Sequence, residues 1–465
     1  MLTLRVLLSA QEIQRGDRPP LRVSMARVSR VSELLMRFSI GDVAEMIRDP
    51  MLVESLLEPA VQTVTPKEAA EQKTAWITVS VLIGAGVMAA TQIGKGIISL
   101  PILQDDFGLA YGRLSLVVSM FAVLGATVGA FAGIAVQRFT PRRCLIAGMF
   151  ILGAANLLGS LATQPSALIA LRIAEGVGFF GVIISVPSML NGITAERDRS
   201  MVMSVWGAYL PFGVMCMALG NSVLLSCGWR NLWFYSGVAL IAYGLLLIPL
   251  SPVIAPPKLI SQAITSFLLV LRSGIMRRLT ALFFLYSFLF FSLSAFLALF
   301  LSDRLGTNTT SAISVTGMVI GANAIGNVSA GLILRAGGQI RLNLMATFVA
   351  FAIAELVIFS GMLSPTSTAW IGIIVLGLGG LTPASIYAAA PSNAPAPEAI
   401  PIAIGLVQQA SNLGQFAGPT ALGWFIDQFG WSAAPVMTVP VAVFGLAMAT
   451  LVRDGHSTSH AETLP

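Results

Sequence analysis

Four charged side chains stand inside long apolar runs of this 465-residue chain: Lys95, Arg172, Glu175 and Glu355. An ionised group in the core of a bilayer is costly unless it is paired or meets water, so each is a candidate for function. Arg172 and Glu175 are three residues apart, which puts them on one helix face, and Lys95 lies on a separate run from which it can reach either. Two cations facing one carboxylate make a net positive site suited to an anionic ligand. Glu175 is then the group that can couple to protons, because exchanging its cationic partners changes its hold on a proton. Gln92, near Lys95, adds an amide to the same place. A plainer reading stands beside this one: Lys95 snorkels to the interface and Arg172 is a structural hydrogen-bonding post. Glu355 reads as structural.

A second set is neutral. Gln408, Asn412 and Gln415 follow at i, i+4 and i+7, so three amides share one face of an apolar helix, and Asn323 and Asn327 are similarly paired at i, i+4. Such amides either tie helices together, at about 0.6 kcal/mol each, or line a cavity and bind substrate oxygens. Tyr209, Pro211, Tyr286 and Tyr387 are candidate wall or gate residues. Pro187 and Pro383 each remove a backbone hydrogen bond and suit hinged closure.

Enzyme chemistry has little to work with. Both histidines, His456 and His460, fall in the C-terminal tail, and Cys144, Cys216 and Cys227 fall singly. No catalytic residue, metal site or cofactor is indicated, and the scattered basic residues do not form a nucleic-acid surface.

The elements that hold these groups follow from composition. The chain is 56% hydrophobic and 10% charged, with mean hydropathy +0.84, far from the roughly 25% charge of soluble domains. Long unbroken apolar runs exclude an alternating barrel pattern, so the expected class is an all-α membrane protein. About twelve runs match a ~30 Å hydrocarbon core: 75–100, 111–136, 144–162, 167–190, 201–226, 230–250, 279–301, 311–334, 342–363, 368–390, 402–424 and 433–452. With the N-terminus in the cytoplasm, twelve Lys/Arg fall in inner loops and tail and three outside, so both termini are expected to be cytoplasmic. Trp76, Trp229, Trp233, Trp370, Trp424 and Trp431 fall near span ends, as interfacial anchors would.

Residues 1–74 carry ten basic and ten acidic side chains and read as a solvated cytoplasmic extension without a packed core. Initiation at Met51 would leave an ordinary cytoplasmic lead. Gly228-Trp229 recurs as Gly430-Trp431, Gly133 as Gly331 and Pro187 as Pro383, an offset near 200 residues that predicts two six-helix halves, 75–250 and 279–452. Between them lies a cytoplasmic loop, 251–278, and after them a tail, 453–465. Duplicated bundles of this kind place a site between the halves and rock around it.

Gly133-Ile-Ala-Val-Gln137-Arg138-Phe-Thr-Pro-Arg142-Arg143 resembles the signature loop GxxxDRxGRR of the major facilitator superfamily, and Arg172-Ile-Ala-Glu175-Gly176-Val-Gly178 resembles its RxxQGxG motif. The resemblance covers the chain from about Ala75 onward and implies that superfamily's fold of twelve helices in two halves. It also implies a gating role for Gly133, Gln137, Arg138, Arg142 and Arg143, with Gln137 standing where the family has an acid and Thr140 where it has glycine. The same arginines would also set orientation by the positive-inside rule. Faint similarity to the cyanate and nitroimidazole transporter branch is seen at Val186-Pro187-Ser188. The antiporter signature GxxxGPxxGG is absent from the fifth span, and its nearest likeness is Gly414-Gln-Phe-Ala-Gly418-Pro419 in the eleventh.

The expectation is therefore a monomeric secondary transporter in a bacterial inner-type cell membrane, moving a small anionic organic solute by alternating access as a proton symporter. Its only expected partners are that solute and the lipid bilayer. The rival is an efflux pump for hydrophobic or drug-like compounds.

Overall fold

The computed structural model describes residues 73–131, 140–220, 228–252, 263–396 and 399–452. Among them every regular element is helical. Contacts divide the chain into a small unit, Met1–Thr74 with Ala195–Arg197, and a large one, Ala75–Thr194 with Asp198–Pro465. Within the small unit the Ala195 N–H donates to the Thr74 hydroxyl at 3.1 Å. The rest of the expected N-terminal extension, the tail, Gly133, Gln137 and Arg138 lie outside the described residues.

Ten helices among the described residues are long and apolar enough to span a bilayer. They are α1 (Trp76–Ile98), α2 (Tyr111–Val128), α3 (Pro141–Ser160), α4 (Pro165–Ile193), α6 (Trp229–Leu250), α7 (Gly274–Arg304), α8 (Thr309–Arg335), α9 (Ile340–Ile358), α10 (Pro365–Ser392) and α12 (Trp431–Thr450). A bent pair, Arg197–Gly207 with Tyr209–Leu219, supplies α5. The remaining long helix, α11 (Ile400–Phe429), is the one that carries the amides. Its polar face is sheltered by α2 and α7, so it need not be apolar all round.

Burial follows sequence character. The most apolar window of α7 is 94% buried, against 28% for α12, so α7 is a central post and α12 a lipid-facing wall. Val436, Val443 and Phe444 of α12 and Leu245 and Leu246 of α6 are accordingly exposed.

Glycines set the closest approaches. Gly414 and Gly418 of α11 lie against the backbone carbonyls of Phe284 and Phe288 in α7, so the antiporter-like stretch in α11 is a packing strip. Gly228 and Gly430, at the starts of α6 and α12, take φ of +82° and +76°, a conformation open to glycine and costly for other residues. The recurring Gly-Trp pair is thus a repeated helix start. Thr140 takes φ +63° where the loop it resembles has glycine, so this chain holds strain there.

Candidate functional site

The glycines of Arg172-x-x-Glu175-Gly176-x-Gly178 explain how the charges come to be sealed. Gly176 lies against the Phe121 carbonyl of α2, and a Cβ on Gly178 would stand 2.6 Å from the Gly148 carbonyl of α3. Two helices therefore close on α4 where its charged side chains emerge.

Lys95, Arg172 and Glu175 are brought together, each with 0% exposure. The Lys95 ammonium donates to Glu175 Oε1 at 3.1 Å and Oε2 at 3.2 Å, and also to Asn156 Oδ1 of α3. Arg172 Nη1 donates to Glu175 Oε2, and Nε to the Val117 carbonyl of α2 at 2.7 Å. Lys95 Nζ lies 4.1 Å from the centre of a Trp233 ring, and the Arg172 guanidinium carbon 4.5 Å from that of Phe121. Ring faces of this kind attract cations and are worth about 2 kcal/mol when water is excluded. Among the described residues Arg172 Nη2 is buried with no acceptor.

Five helices thus converge on one carboxylate and two cations. Asn156 is absent from the sequence-derived set, although a lone amide in the apolar run of α3 is a visible signal. Trp229 and Trp233, expected as interfacial anchors, are 2% and 0% exposed; Trp233 serves the ammonium instead. Gln92 is buried but stays out of the cluster, its amide nitrogen donating to Thr91 Oγ1 at 2.8 Å and to Met88 O at 3.4 Å.

The two halves meet along α2 and α11, which run antiparallel. At the end where α2 begins, Asp427 of α11 accepts the Tyr111 and Gly112 N–H groups at 2.8 and 2.6 Å. Thr420 Oγ1 then donates to Ser119 Oγ at 2.9 Å, and Asn412 presses on Gly125. At the other end Gln409 donates to the Ala126 and Thr127 carbonyls at 2.9 and 3.0 Å and accepts from the Ala130 N–H at 3.0 Å. Gly125 and, just past the end of α2, Gly129 therefore form the bed for Asn412 and Gln409 of α11. Gln409 lies one residue off the i, i+4, i+7 face, so side-chain spacing does not mark it.

The other amides take separate posts. Asn323 donates to the Tyr286 hydroxyl and the Leu376 carbonyl, both at 2.9 Å, joining α8 to α7 and α10. Asn327 donates to Asn323 Oδ1 at 3.0 Å. Gln408 accepts from the Tyr387 hydroxyl, while Gln415 is buried with its nitrogen unpartnered. Tyr209 stacks on Trp206 at 4.3 Å, and Tyr387 meets Phe283 edge-on at 5.4 Å. Trp206 and Phe283 are buried and Tyr387 is exposed, so α5, α7 and α10 each contribute aromatic rings to these contacts.

Arg142 donates to the Ile248 carbonyl and, at 3.1 Å, to Ser251 Oγ, so it ties α3 to α6 within one half. Arg143 is exposed. Pro187 lies inside α4, whereas Pro383 follows a break in α10 at Gly380 and sits in the first turn of Leu381–Ser392, where its missing N–H costs little.

A family model described as Major Facilitator Superfamily matches residues 80–408. The lincomycin resistance protein of Streptomyces lincolnensis is 30% identical over 151 residues, 32% of this chain and 31% of that protein. A 4-hydroxybenzoate transporter of Pseudomonas aeruginosa is 26% identical over 140 residues, 30% of this chain and 31% of that one. Multidrug resistance protein 2 of Bacillus subtilis is 28% identical over 177 residues, 38% and 44% of the two chains. The matched stretch spans less than half the length of each of these three relatives. Among solved structures, a bacterial homologue of the human lysosomal transporter Spinster, in an inward-facing and unoccupied conformation, superposes with a TM-score of 0.66 at 15% identity, covering 81% of this chain and 96% of that one. That likeness is one of fold.

Proposed function

The chain belongs to the Major Facilitator Superfamily, and on that premise we propose that it is a secondary transporter of a small anionic organic solute, working by alternating access and coupled to protons through Glu175. The observation that carries this reading is the sealed cluster in which Lys95 and Arg172 share one carboxylate and Arg172 Nη2 has no acceptor. A buried guanidinium donor without an acceptor, in a site with one net positive charge, favours an anion.

The charge balance suggests the coupling. If a monoanion enters alone, the cluster loses its net charge; if a proton joins Glu175 at the same time, the cluster keeps it. Loading anion and proton together therefore leaves the electrostatic cost of the bilayer crossing unchanged. The substrate's acid would compete with Glu175 for Arg172, and the freed Glu175 would take the proton. The cluster lies inside the N-terminal half and not between the halves, so access needs α1, α2, α3, α4 and α6 to part within that half.

In the membrane, the basic residues favour an orientation with Arg142, Arg143 and both chain termini in the cytoplasm and Tyr111 outside. The setting we assign is a bacterial inner-type cell membrane, with the protein working as a monomer.

Export of hydrophobic or drug-like compounds is the second reading. Trp206, Tyr209, Phe283 and Tyr387 favour it, because aromatic rings from both halves suit an apolar solute. Ligand-induced stabilisation of the purified protein separates the two. Small carboxylates, 4-hydroxybenzoate among them, should raise the unfolding temperature of the wild type and not of Lys95→Gln. Stabilisation by lipophilic drugs alone, unchanged in Lys95→Gln, would transfer the assignment to export.

A further inference from the structure

Glu355 belongs neither to the Lys95–Arg172–Glu175 cluster nor to the α2–α11 seam. It sits in the last turn of α9 with 0% exposure, and among the described residues its carboxyl oxygens meet no hydrogen-bond donor other than the Thr438 hydroxyl of α12. That hydroxyl also lies 3.2 Å from the Ala434 carbonyl, which competes for its one proton. Phe351 and Phe359, one turn before and after on the same face, are also fully buried.

Among the described residues no counter-ion is paired with it. Of the helices packed against α9, α12 carries no titratable side chain and α10 only Tyr387, which is bonded to Gln408. From α7 come Arg277 and Arg278 at the far end, Tyr286 bonded to Asn323, and Asp303 and Arg304 at the near end. On α9 itself Arg341 lies in the opposite terminal turn. A carboxylate with one shared hydroxyl donor and no counter-ion is not tolerated in an apolar bundle, whereas the neutral acid is.

One helical turn beyond Glu355, at Phe359, stands an aromatic cluster. Phe300 meets Phe359 at 5.3 Å, and Phe359 stacks on Trp431. The last ring comes from the other half: Tyr111 of α2 meets Trp431 edge-on at 5.2 Å, with its hydroxyl donating to Asp303 at 2.7 Å. Arg304 stands beside Gly361, past the end of α9.

We propose that Glu355 is a second proton-carrying site, in the C-terminal half, closed by the Phe300–Phe359–Trp431 cap and opened when Tyr111 withdraws as the halves part. On opening, the carboxyl O–H bond breaks, the proton passes to water at the mouth, and the carboxylate is left facing that water; closure requires the reverse. Only the opening step rests on the transport reading, since the proton on Glu355 follows from its surroundings.

Infrared difference spectroscopy of the full-length protein in lipid, on transfer to deuterated buffer, tests this without any substrate. The wild type should show a protonated-carboxyl band that Glu355→Gln lacks and Glu355→Asp shifts. Deuterium should enter that band severalfold faster in Tyr111→Ala. A wild type without the band, or a band that persists unshifted in both Glu355 variants, overturns the site. An exchange rate unchanged in Tyr111→Ala overturns the gate, and absence of transport in a separate flux assay would sink the transport reading while leaving the band in place.

Discussion

Asp427 near the end of α11 caps the start of α2, its Oδ2 accepting the Gly112 N–H at 2.6 Å. The contact crosses between the halves and pairs a carboxylate with the positive end of a helix, a combination worth about 1 kcal/mol. Asp427→Asn should therefore open this end more often, by roughly fivefold if 1 kcal/mol is lost. Labelling rates of a cysteine placed at Ser115 would read it, and an unchanged rate would remove the capping contact from the gate.

Gln409 holds the opposite end of the same seam with three backbone hydrogen bonds. Gln409→Ala should favour opening at that end, so a cysteine at Ala126 should react faster while one at Ser115 reacts more slowly. Equal changes at both positions would mean that α11 has loosened as a whole.

Within the charge cluster the cost of substitution should be ordered. Glu175→Gln leaves two buried cations uncompensated and should lose about 3–5 kcal/mol. Lys95→Gln leaves the Arg172–Glu175 pair intact and should lose less. Thermal unfolding in one detergent ranks them, and a Lys95→Gln protein less stable than Glu175→Gln would contradict the geometry.

Thr140→Gly should stabilise the protein by about 1 kcal/mol, because φ +63° is strained for threonine and free for glycine. A lower unfolding temperature in this variant would show that the threonine side chain contributes more than its backbone costs.

Much of this was legible in the sequence. Twelve apolar or nearly apolar runs, the Gly-Trp repeat and the pairing of Lys95, Arg172 and Glu175 follow from period, spacing and the cost of charge in lipid. The roles of Asn156, Gln409 and Asp427 do not show in spacing, for different reasons. Asn156 is a lone amide whose meaning depends on α1 passing beside α3. Gln409 and Asp427 act through backbone groups of α2, and backbone partners leave no trace in side-chain spacing. Trp233 reads as an anchor by position and becomes a cation's neighbour only once α6 is packed on α1. The amide rows of α8 and α11 were visible as rows, but whether each amide meets another helix or a cavity is decided by tertiary packing.

The most direct test of the account is simultaneous measurement of proton and solute entry into proteoliposomes, with 4-hydroxybenzoate as the first probe and an inside-alkaline gradient as the driving force. The account predicts that the two enter together in the wild type, and that Glu175→Gln abolishes gradient-driven entry while retaining solute exchange across the membrane without a gradient. Gradient-driven entry that survives intact in Glu175→Gln would contradict it.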